Sequence, residues 1–231
     1  MLPFTVCPVG DTGLLVSFEQ RIAQSVGAAV AALKTRVAAA AIPGVVETVP
    51  AFASLLIFYD PLVTEYDAVA AAVQKLAQAP DSDTTAEEGR LVEIPVCYGG
   101  AFGPDLPFVA EHAGLTETEV IRLHAGREYR IYMLGFLPGF PYLGGLDERL
   151  FTPRLASPRT AIPAGSVGIG GEQTGVYPIA SPGGWQLIGR TPLKLFDPSA
   201  GRLPYAAGDR IRFCPITQDE FDAIAQKEGT V

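Results

Sequence analysis

Residues 163–192 read PAGSVGIGGEQTGVYPIASPGGWQLIGRTP, and this stretch decides the fold of the C-terminal part of the chain. It lies within a longer segment, 135–192, that contains 12 glycines and 8 prolines in 58 positions. A chain this rich in Gly and Pro can be disordered. The same segment also carries large aromatic side chains, which disordered chains lack: Phe136, Phe140, Tyr142, Phe151, Tyr177 and Trp185. We therefore predict short strands joined by tight turns, as in a closed or nearly closed barrel.

Two pairs of strands are predicted in the first quarter of the chain. Residues 4–18, FTVCPVGDTGLLVSF, surround a Gly-Asp-Thr-Gly turn signal and predict a hairpin. Residues 45–49 and 54–60 are short apolar runs that predict two further strands. The Pro43-Gly44 dipeptide marks a turn immediately before the third strand.

Two helices are predicted beside these strands. Apolar side chains recur at helical spacing over 22–37 and again over 66–76. Thr64 and Asp67 predict a capping box at the start of the second helix. The order strands, helix, strands, helix predicts a small α+β domain in which both helices pack on one sheet.

A polar segment separates this domain from the Gly/Pro-rich part of the chain. Residues 80–89, PDSDTTAEEG, contain four acids and no base, which is typical of a linker. We therefore predict a small α/β domain over 1–88, a linker at 80–89 across its end, and a barrel domain over 89–231. The fold class is then an α+β N-terminal domain followed by a mainly β barrel domain.

Further elements of the second domain follow from local patterns. Strands are predicted at 90–96, 130–136, 192–198 and 209–215, and helices within 104–125 and at 217–228. The helix pair has a Gly114 C-cap and a Thr116–Glu119 capping box. It superficially resembles a DNA-binding helix-turn-helix, but its second helix offers only Arg122 and His124, and the helix pair contains three acids. We therefore expect no nucleic-acid partner.

Composition narrows the functional class. The chain has 17 basic and 25 acidic residues, a formal net charge of −8, which disfavours nucleic acid and anionic membranes as partners. No apolar run reaches the ~18 residues of a membrane span, and no basic residue precedes Arg21. Cys7, Cys97 and Cys214 are far apart and form no CxxC pair. We expect a cytoplasmic protein without a zinc site, disulfide framework or membrane partner.

Several common catalytic motifs are absent. The two histidines, His112 and His124, both lie outside the Gly/Pro-rich segment, and there is no GxSxG elbow. A GxxxxGK[ST] loop is also missing, and GIGGEQTG has Gln173 where the third glycine of GxGxxG is required. These observations argue against Ser-His-Asp and Cys-His enzymes, P-loop NTPases and Rossmann proteins. We expect His124 to have a packing or capping role.

A small-acid site is predicted in the Gly-rich stretch. Its glycine turns bring backbone N–H groups close to a ligand and can cradle an anion. Arg159 and Arg190 are candidates to clamp a carboxylate or phosphate, while Tyr177 and Trp185 supply apolar walls. Neutral hydrogen-bonding groups come from Ser166, Gln173, Thr174 and Ser181. The alternative is that this glycine and proline content only builds barrel turns.

Long contiguous strings in the chain resemble the KipI/PxpB family, the B subunits of 5-oxoprolinase, also called allophanate hydrolase subunit 1-like. They are YRIYMLGFLPGFPYLGGL and PRTAIPAGSVGIGGEQTGVYPIASPGGWQLIGRTPLKLFDP, with PVGDTGLLVSF near the start. The resemblance implies an N-terminal α/β domain and a C-terminal cyclophilin-like β-barrel. It also implies that GFLPGFPYLGG frames a cleft, in which Pro138 and Pro141 fix φ and Phe140 and Tyr142 form walls.

The resemblance implies a role in a complex. The partners would be a PxpC/KipA-type subunit and a PxpA (LamB/YcsF-type) subunit, which together open 5-oxo-L-proline to L-glutamate with hydrolysis of ATP. ATP would bind through the complex, this chain alone would be inactive, and no metal or organic cofactor is expected in it. Two other roles stay open: inhibitor of a sensor histidine kinase, and part of a urea-type carboxyltransferase or allophanate hydrolase-like complex. No catalytic acid or base is assigned. The predicted binding residues are Pro138, Gly139, Phe140, Arg159, Gly165, Ser166, Gln173, Thr174, Tyr177, Ser181, Gly183, Gly184, Trp185 and Arg190.

Overall fold

The computed structural model describes residues 2–21, 23–79, 89–199, 201 and 203–228. The chain divides into two compact units, residues 1–87 and 88–231. The predicted linker lies almost wholly outside the described residues, which resume at Gly89, so the linker stays a prediction.

The N-terminal unit is an antiparallel sheet with two helices. Its elements are β1 (Phe4–Val9), β2 (Gly13–Phe18), α1 (Gln24–Ala40), β3 (Val45–Pro50), β4 (Ser54–Tyr59) and α2 (Tyr66–Gln78). The strands are ordered β1-β2-β4-β3. Leu14, Val16, Leu55 and Ile57 alternate along the two central strands and are fully buried, together with apolar residues of both helices. The alternation places one face of the sheet against the helices and confirms the predicted α+β unit.

The predicted capping box before α2 is wrong. The N-cap residue is Glu65, and its side chain makes no capping hydrogen bond. Thr64 instead ends the turn that follows β4, where its backbone N–H donates to the Asp60 carbonyl. The Asp60 side chain in turn accepts from the Leu62 N–H at 2.9 Å. Thr64 therefore belongs to this Asx-type turn and lies one residue before the N-cap position, where it cannot cap the helix.

The C-terminal unit is a closed barrel flanked by helices and a separate two-stranded ribbon. Its elements are β5 (Leu91–Tyr98), α3 (Leu106–Ala113), α4 (Glu117–Ala125), β6 (Tyr129–Leu134), β7 (Pro141–Gly144), a short 3₁₀ helix (Glu148–Leu150), β8 (Arg159–Ile162), β9 (Ser166–Gly170), β10 (Gln173–Val176), β11 (Ser181–Gly183), β12 (Gln186–Arg190), β13 (Arg210–Pro215) and α5 (Gln218–Glu228). The barrel order is β10-β7-β6-β13-β5-β12-β9, and β8 pairs with β11. The β13–β5 pair is parallel, and the other pairs of the barrel are antiparallel. The predicted fold class is confirmed.

Local signals placed the flanking helices correctly. Thr116 and Glu119 form the predicted capping box at the start of α4. Gly114 adopts the left-handed conformation, with φ 64°, at the end of α3. Thr217 accepts a hydrogen bond from the Glu220 N–H at the start of α5. No helix within the described parts of the chain has both the length and the apolar character that a membrane crossing requires.

The predicted strand at 192–198 is wrong. Residues 192–196 form no regular strand, and Asp197 organises a turn by accepting from the Ser199 N–H and from Lys194. The barrel explains why: β5 already pairs with β12 on one side and β13 on the other, and the sheet closes. A closed sheet has no edge at which this apolar segment can pair.

Candidate functional site

A cleft of about 300 Å³ lies in the C-terminal unit, outside the packed barrel interior. Its lining is aromatic, with a rim of glycines and prolines and an arginine: Phe136, Phe140, Tyr142, Arg154, Pro158, Tyr177, Pro182, Gly183, Gly184 and Trp185. Phe140, Tyr142, Tyr177 and Trp185 form the aromatic floor of the cleft. They belong to an apolar cluster that is separate from the cluster that fills the barrel. The aromatic side chains of the cleft are therefore not part of the hydrophobic core of the barrel.

Phe140 is the centre of the floor. Its ring meets those of Tyr142 and Tyr177 edge-to-face with centroids 5.2 Å apart in each pair, and that of Trp185 at 5.5 Å. Such T-shaped contacts place ring edges against ring faces and are favourable beyond the buried area. Glycine permits this packing at residue 175, where a Cβ would approach the Phe140 and Trp185 rings to 3.1 Å. The glycine-rich strands thus bring large rings close to the backbone.

Phe136 forms an exposed wall of the cleft in an unusual backbone conformation. Its φ is 65°, in the left-handed region that large side chains rarely adopt, and its relative exposure is 63%. The turn around it is held by hydrogen bonds from Leu137 N–H to Gly135 O and from Gly135 N–H to Phe140 O. Its ring meets Phe140 edge-to-face at 5.7 Å. An exposed aromatic held in a strained turn beside a cleft is a feature that folding alone does not require.

The polar side-chain groups of the cleft are the phenols of Tyr142 and Tyr177 and the guanidinium of Arg154. Burial raises the pKa of Tyr177 to about 12, and the nearby Arg154 charge opposes this rise. The hydroxyl therefore stays protonated at neutral pH, and its own proton is available to a ligand. The Arg154 guanidinium carbon lies 5.8 Å from the centroid of the Trp185 ring, within the range of a cation–π contact.

Arg159 and Arg190 do not line the cleft. Arg159 pairs with Asp105 at 2.7 Å and donates to the Trp185 carbonyl at 3.3 Å. The second oxygen of Asp105 accepts from the Leu187 N–H at 2.6 Å. Arg159 thus holds the backbone behind the indole. The Arg190 Nε donates to the Ala164 carbonyl at 2.9 Å, a contact to a barrel-end turn.

The other predicted site residues divide between the cleft and its surroundings. The structure brings Phe140, Tyr177, Gly183, Gly184 and Trp185 together around the cleft. Outside its lining are Pro138, Gly139, Gly165, Ser166, Gln173, Thr174 and Ser181. Several of these have structural partners. The Gly139 carbonyl accepts from the Tyr205 hydroxyl, and the Ser181 hydroxyl donates to the Pro182 carbonyl. Their role in binding remains a prediction.

His124 lies buried in the barrel unit with both ring nitrogens paired. Tyr98 Oη lies 2.8 Å from Nδ1, and Thr174 Oγ1 lies 2.8 Å from Nε2. Thr174 donates to the Gly168 carbonyl at 3.0 Å, so it accepts from Nε2–H, and Tyr98 donates to Nδ1. Burial lowers the pKa of His124 to about 3, which keeps the ring neutral. Thr174 is therefore engaged in a buried network, and the packing role expected for His124 fits this geometry.

Sequence reasoning did not nominate four lining residues: Phe136, Arg154, Pro158 and Pro182. Phe136 lies in the Gly/Pro-rich segment, but no local sequence pattern predicts the positive φ that places its side chain at the cleft. Arg154 lies on the connection between the 3₁₀ helix and β8, outside the glycine-rich stretch 163–192. An exposed arginine on a connecting segment is detectable as a ligand group only once the cleft is known.

The arrangement can bind and orient a ligand but supplies no proton-transfer pair of its own. Among the described residues, no carboxylate or histidine lines the cleft. Within the part of the chain that the structure describes, His, Cys, Asp and Glu side chains form no cluster suited to a metal ion. The cleft therefore offers a ligand apolar ring faces, an exposed cation and two phenol hydroxyls.

Comparison with known proteins gives consistent matches. A family model described as carboxyltransferase domain, subdomain C and D, matches residues 4–205. The chain is 43% identical to the 5-oxoprolinase B subunit of Bacillus subtilis over 96% of each chain. It is 50% identical to the protein of that name from Escherichia coli O157:H7 over 81% of each chain. The solved urea carboxylase of Kluyveromyces lactis covers 98% of this chain and 23% of its own length with a TM-score of 0.82, but at 21% identity it shows the fold alone.

Proposed function

The chain belongs to the family of carboxyltransferase subdomains C and D and, within it, to the 5-oxoprolinase B subunits, and we propose that it is the B subunit of an ATP-dependent 5-oxoprolinase. The observation that carries the proposal is the match along nearly the whole of both chains to the Bacillus subtilis protein. The reaction converts 5-oxo-L-proline and water to L-glutamate while ATP is hydrolysed to ADP and phosphate.

The cleft suits part of this chemistry. The substrate has a compact ring, a lactam carbonyl and a carboxylate, and the cleft offers aromatic faces, a protonated Tyr177 hydroxyl and the Arg154 guanidinium. A hydroxyl donor can polarise a carbonyl and stabilise negative charge that develops on its oxygen. The described lining holds no general base, and we expect partner subunits to supply the groups that activate water and transfer phosphate.

The proposal therefore includes partner subunits. Opening the lactam is unfavourable without coupling, and the chain has no P-loop sequence. We assign ATP to the complex, with a PxpC/KipA-type subunit and a PxpA (LamB/YcsF-type) subunit as the partners, and expect this chain to be inactive alone. Cys7, Cys97 and Cys214 are free thiols, which suits a reducing compartment, and we place the complex in the cytoplasm.

Reconstitution tests the proposal. The chain is purified alone and together with the two partner subunits, and glutamate and ADP are measured with 5-oxo-L-proline and ATP. We expect coupled formation of both products only when all three subunits are present. A mixture that lacks this chain is the control. Absence of turnover by the complete, co-purifying complex would contradict the proposed enzyme and favour a role as a protein-binding module.

A further inference from the structure

Arg154 is held in place at the cleft by its two neighbours in the chain. The Pro153 carbonyl accepts from the Gln186 side-chain amide at 2.9 Å. The Leu155 N–H donates to the Gly184 carbonyl at 2.7 Å. These bonds fasten the backbone on both sides of Arg154 to the segment that carries Trp185. The guanidinium is thus presented from a fixed backbone, which reduces the conformational entropy lost when a ligand is bound.

The charge of Arg154 has no protein partner in the described part of the chain. Its side chain is exposed and its contact is with the Trp185 ring, without an ion pair or hydrogen bond to a described carboxylate. Neighbouring arginines differ in this respect: Arg159 pairs with Asp105, and Arg149 pairs with Asp147. In a chain of net charge −8, an uncompensated guanidinium in a cleft whose described lining has no acids is a local positive site.

We propose that Arg154 is the carboxylate-binding residue of the cleft and that the ligand is a small carboxylic acid with a compact, largely apolar body. The body lies against Phe140 and Trp185, the carboxylate receives the two parallel N–H donors of the guanidinium, and the Tyr177 hydroxyl donates to a second oxygen of the ligand. Insofar as it names 5-oxo-L-proline as that acid, the inference rests on the proposed function.

The size and chemistry of the cleft agree with this ligand class. A volume of about 300 Å³ is at the small end of ligand sites, which span about 300–1,000 Å³. The Arg154 charge also lies close enough to Tyr142 and Tyr177 to oppose the rise in pKa that burial causes in each phenol. The Arg154 cation and the hydroxyls of Tyr142 and Tyr177 therefore lie close enough to contact the same ligand. An acid can satisfy the cation and the Tyr177 donor together, whereas a neutral apolar molecule can satisfy neither.

A purely structural role for Arg154 makes a different prediction. If the guanidinium only covers the indole, its loss should lower the stability of the chain without changing which ligands bind. The discriminating comparison is between 5-oxo-L-proline and 2-pyrrolidinone, which has the same lactam ring and lacks the carboxylate. Trp185 is the sole tryptophan and reports binding through its emission.

The experiment titrates the full chain with each compound and follows Trp185 emission, for the wild type, Arg154→Gln, Arg154→Lys and the control Arg122→Gln. Arg122 is an exposed arginine on α4, away from the cleft lining. We expect Arg154→Gln to weaken 5-oxo-L-proline binding by about 10- to 100-fold, the effect of losing a charged hydrogen bond. Binding of 2-pyrrolidinone should change less than about 2-fold by the same reasoning. Arg154→Lys should be intermediate, because the charge remains and the fork is lost.

The same variants in the assembled complex separate the two proposals. There, Arg154→Gln should raise the KM for 5-oxo-L-proline by a similar factor and leave the KM for ATP unchanged. If the wild-type complex turns over but Arg154→Gln has wild-type affinity and KM, the inference is overturned and the proposed function stands. If the complex has no turnover, the proposed function fails. The titrations still test the inference, because they compare the affinities for 5-oxo-L-proline and 2-pyrrolidinone. Equal binding of both compounds by the wild type would overturn it.

Discussion

The barrel interior and the cleft use polar groups in opposite ways. Inside the barrel unit, His124 is fully buried and each of its ring nitrogens has a partner. At the cleft, a few residues along the chain from Thr174, the Tyr177 hydroxyl is protonated at neutral pH and the Arg154 cation is exposed. Buried polar groups without partners are costly, so the interior satisfies its groups internally. The difference separates polar groups whose partners lie inside the fold from groups that we propose bind a ligand.

The largest effect is expected from His124→Ala. The substitution removes a buried ring that stacks on Phe213 at 4.8 Å, and it leaves Tyr98 and Thr174 without their hydrogen bonds to the imidazole. The combined cavity and unpaired groups should cost about 3 kcal/mol or more of unfolding free energy. Urea denaturation measures this value. His112→Ala, on an exposed position of α3, is the matched control and should change it by less than about 0.5 kcal/mol. Equal, small effects would remove the contrast between interior and surface histidines.

The two arginines beside Trp185 should separate stability from binding. Arg159→Ala breaks the ion pair to Asp105 and the bond to the Trp185 carbonyl, and should cost about 2 kcal/mol. Arg154→Ala removes an exposed side chain and should cost less than about 0.5 kcal/mol. Thermal and urea unfolding of both variants test the pair. A reversed order would mean that Arg154 is structural and that Arg159 is the group left for a ligand.

The stability of the chain should fall as the pH falls because of His124. Its pKa is lowered by burial from 6.5 to about 3 in the folded chain. Since the folded pKa is depressed, the stabilising contribution is complete above pH 6.5 and is lost as the pH falls towards 3. Between about pH 6.5 and 5 most carboxylates stay ionised, so the slope should approach about 1.4 kcal/mol per pH unit, the value for one proton.

Unfolding free energies measured at several pH values between about pH 6.5 and 5 give the pH dependence of stability. His124→Gln should reduce this pH dependence. Should that variant fail to fold, the ring protons of His124 in the wild type can be followed by NMR at about pH 5, where an unperturbed imidazole is charged. A ring that becomes charged there while the chain stays folded would contradict the buried network.

The smallest effect concerns the strained turn of the cleft. Phe136→Gly should stabilise the chain by up to about 1 kcal/mol, because glycine adopts a φ of 65° without a steric penalty. Phe136→Ala keeps the strain and removes the same ring, so it serves as the matched control. Both variants should weaken binding of 5-oxo-L-proline in the Trp185 titration. Unchanged binding in both would show that the exposed ring is not a wall of the ligand site.

The fold was largely predictable from local signals. Aromatic residues among glycines and prolines indicated short strands, and the Thr116–Glu119 and Gly114 caps placed the helix pair correctly. The strand expected at 192–198 failed because closure of the barrel is a property of the whole sheet. No local sequence pattern indicates that the barrel closes and leaves no free edge for an additional strand.

The candidate site was predictable only in its aromatic part. Phe140, Tyr177 and Trp185 are large, apolar and set among glycines, and the structure places all three around the cleft. The charged part depends on pairing between distant residues: Asp105, which binds Arg159, is 54 positions away in the chain. The tertiary structure therefore decides that Arg159 is paired and that Arg154 is exposed. Arg154 could not be identified as a candidate ligand-binding residue from the sequence alone.

The most direct test of the contrast between cleft and interior is a ¹H–¹⁵N NMR titration of the full chain with 5-oxo-L-proline. We expect shift changes at the Trp185 indole N–H and at the amides of Phe136, Gly183 and Gly184, which line the cleft. The amides of His124 and Thr174 should not move, because their side chains are paired inside the barrel unit. Shifts confined to other surfaces, or no shifts at saturating acid, would contradict the assignment of the cleft as the ligand site.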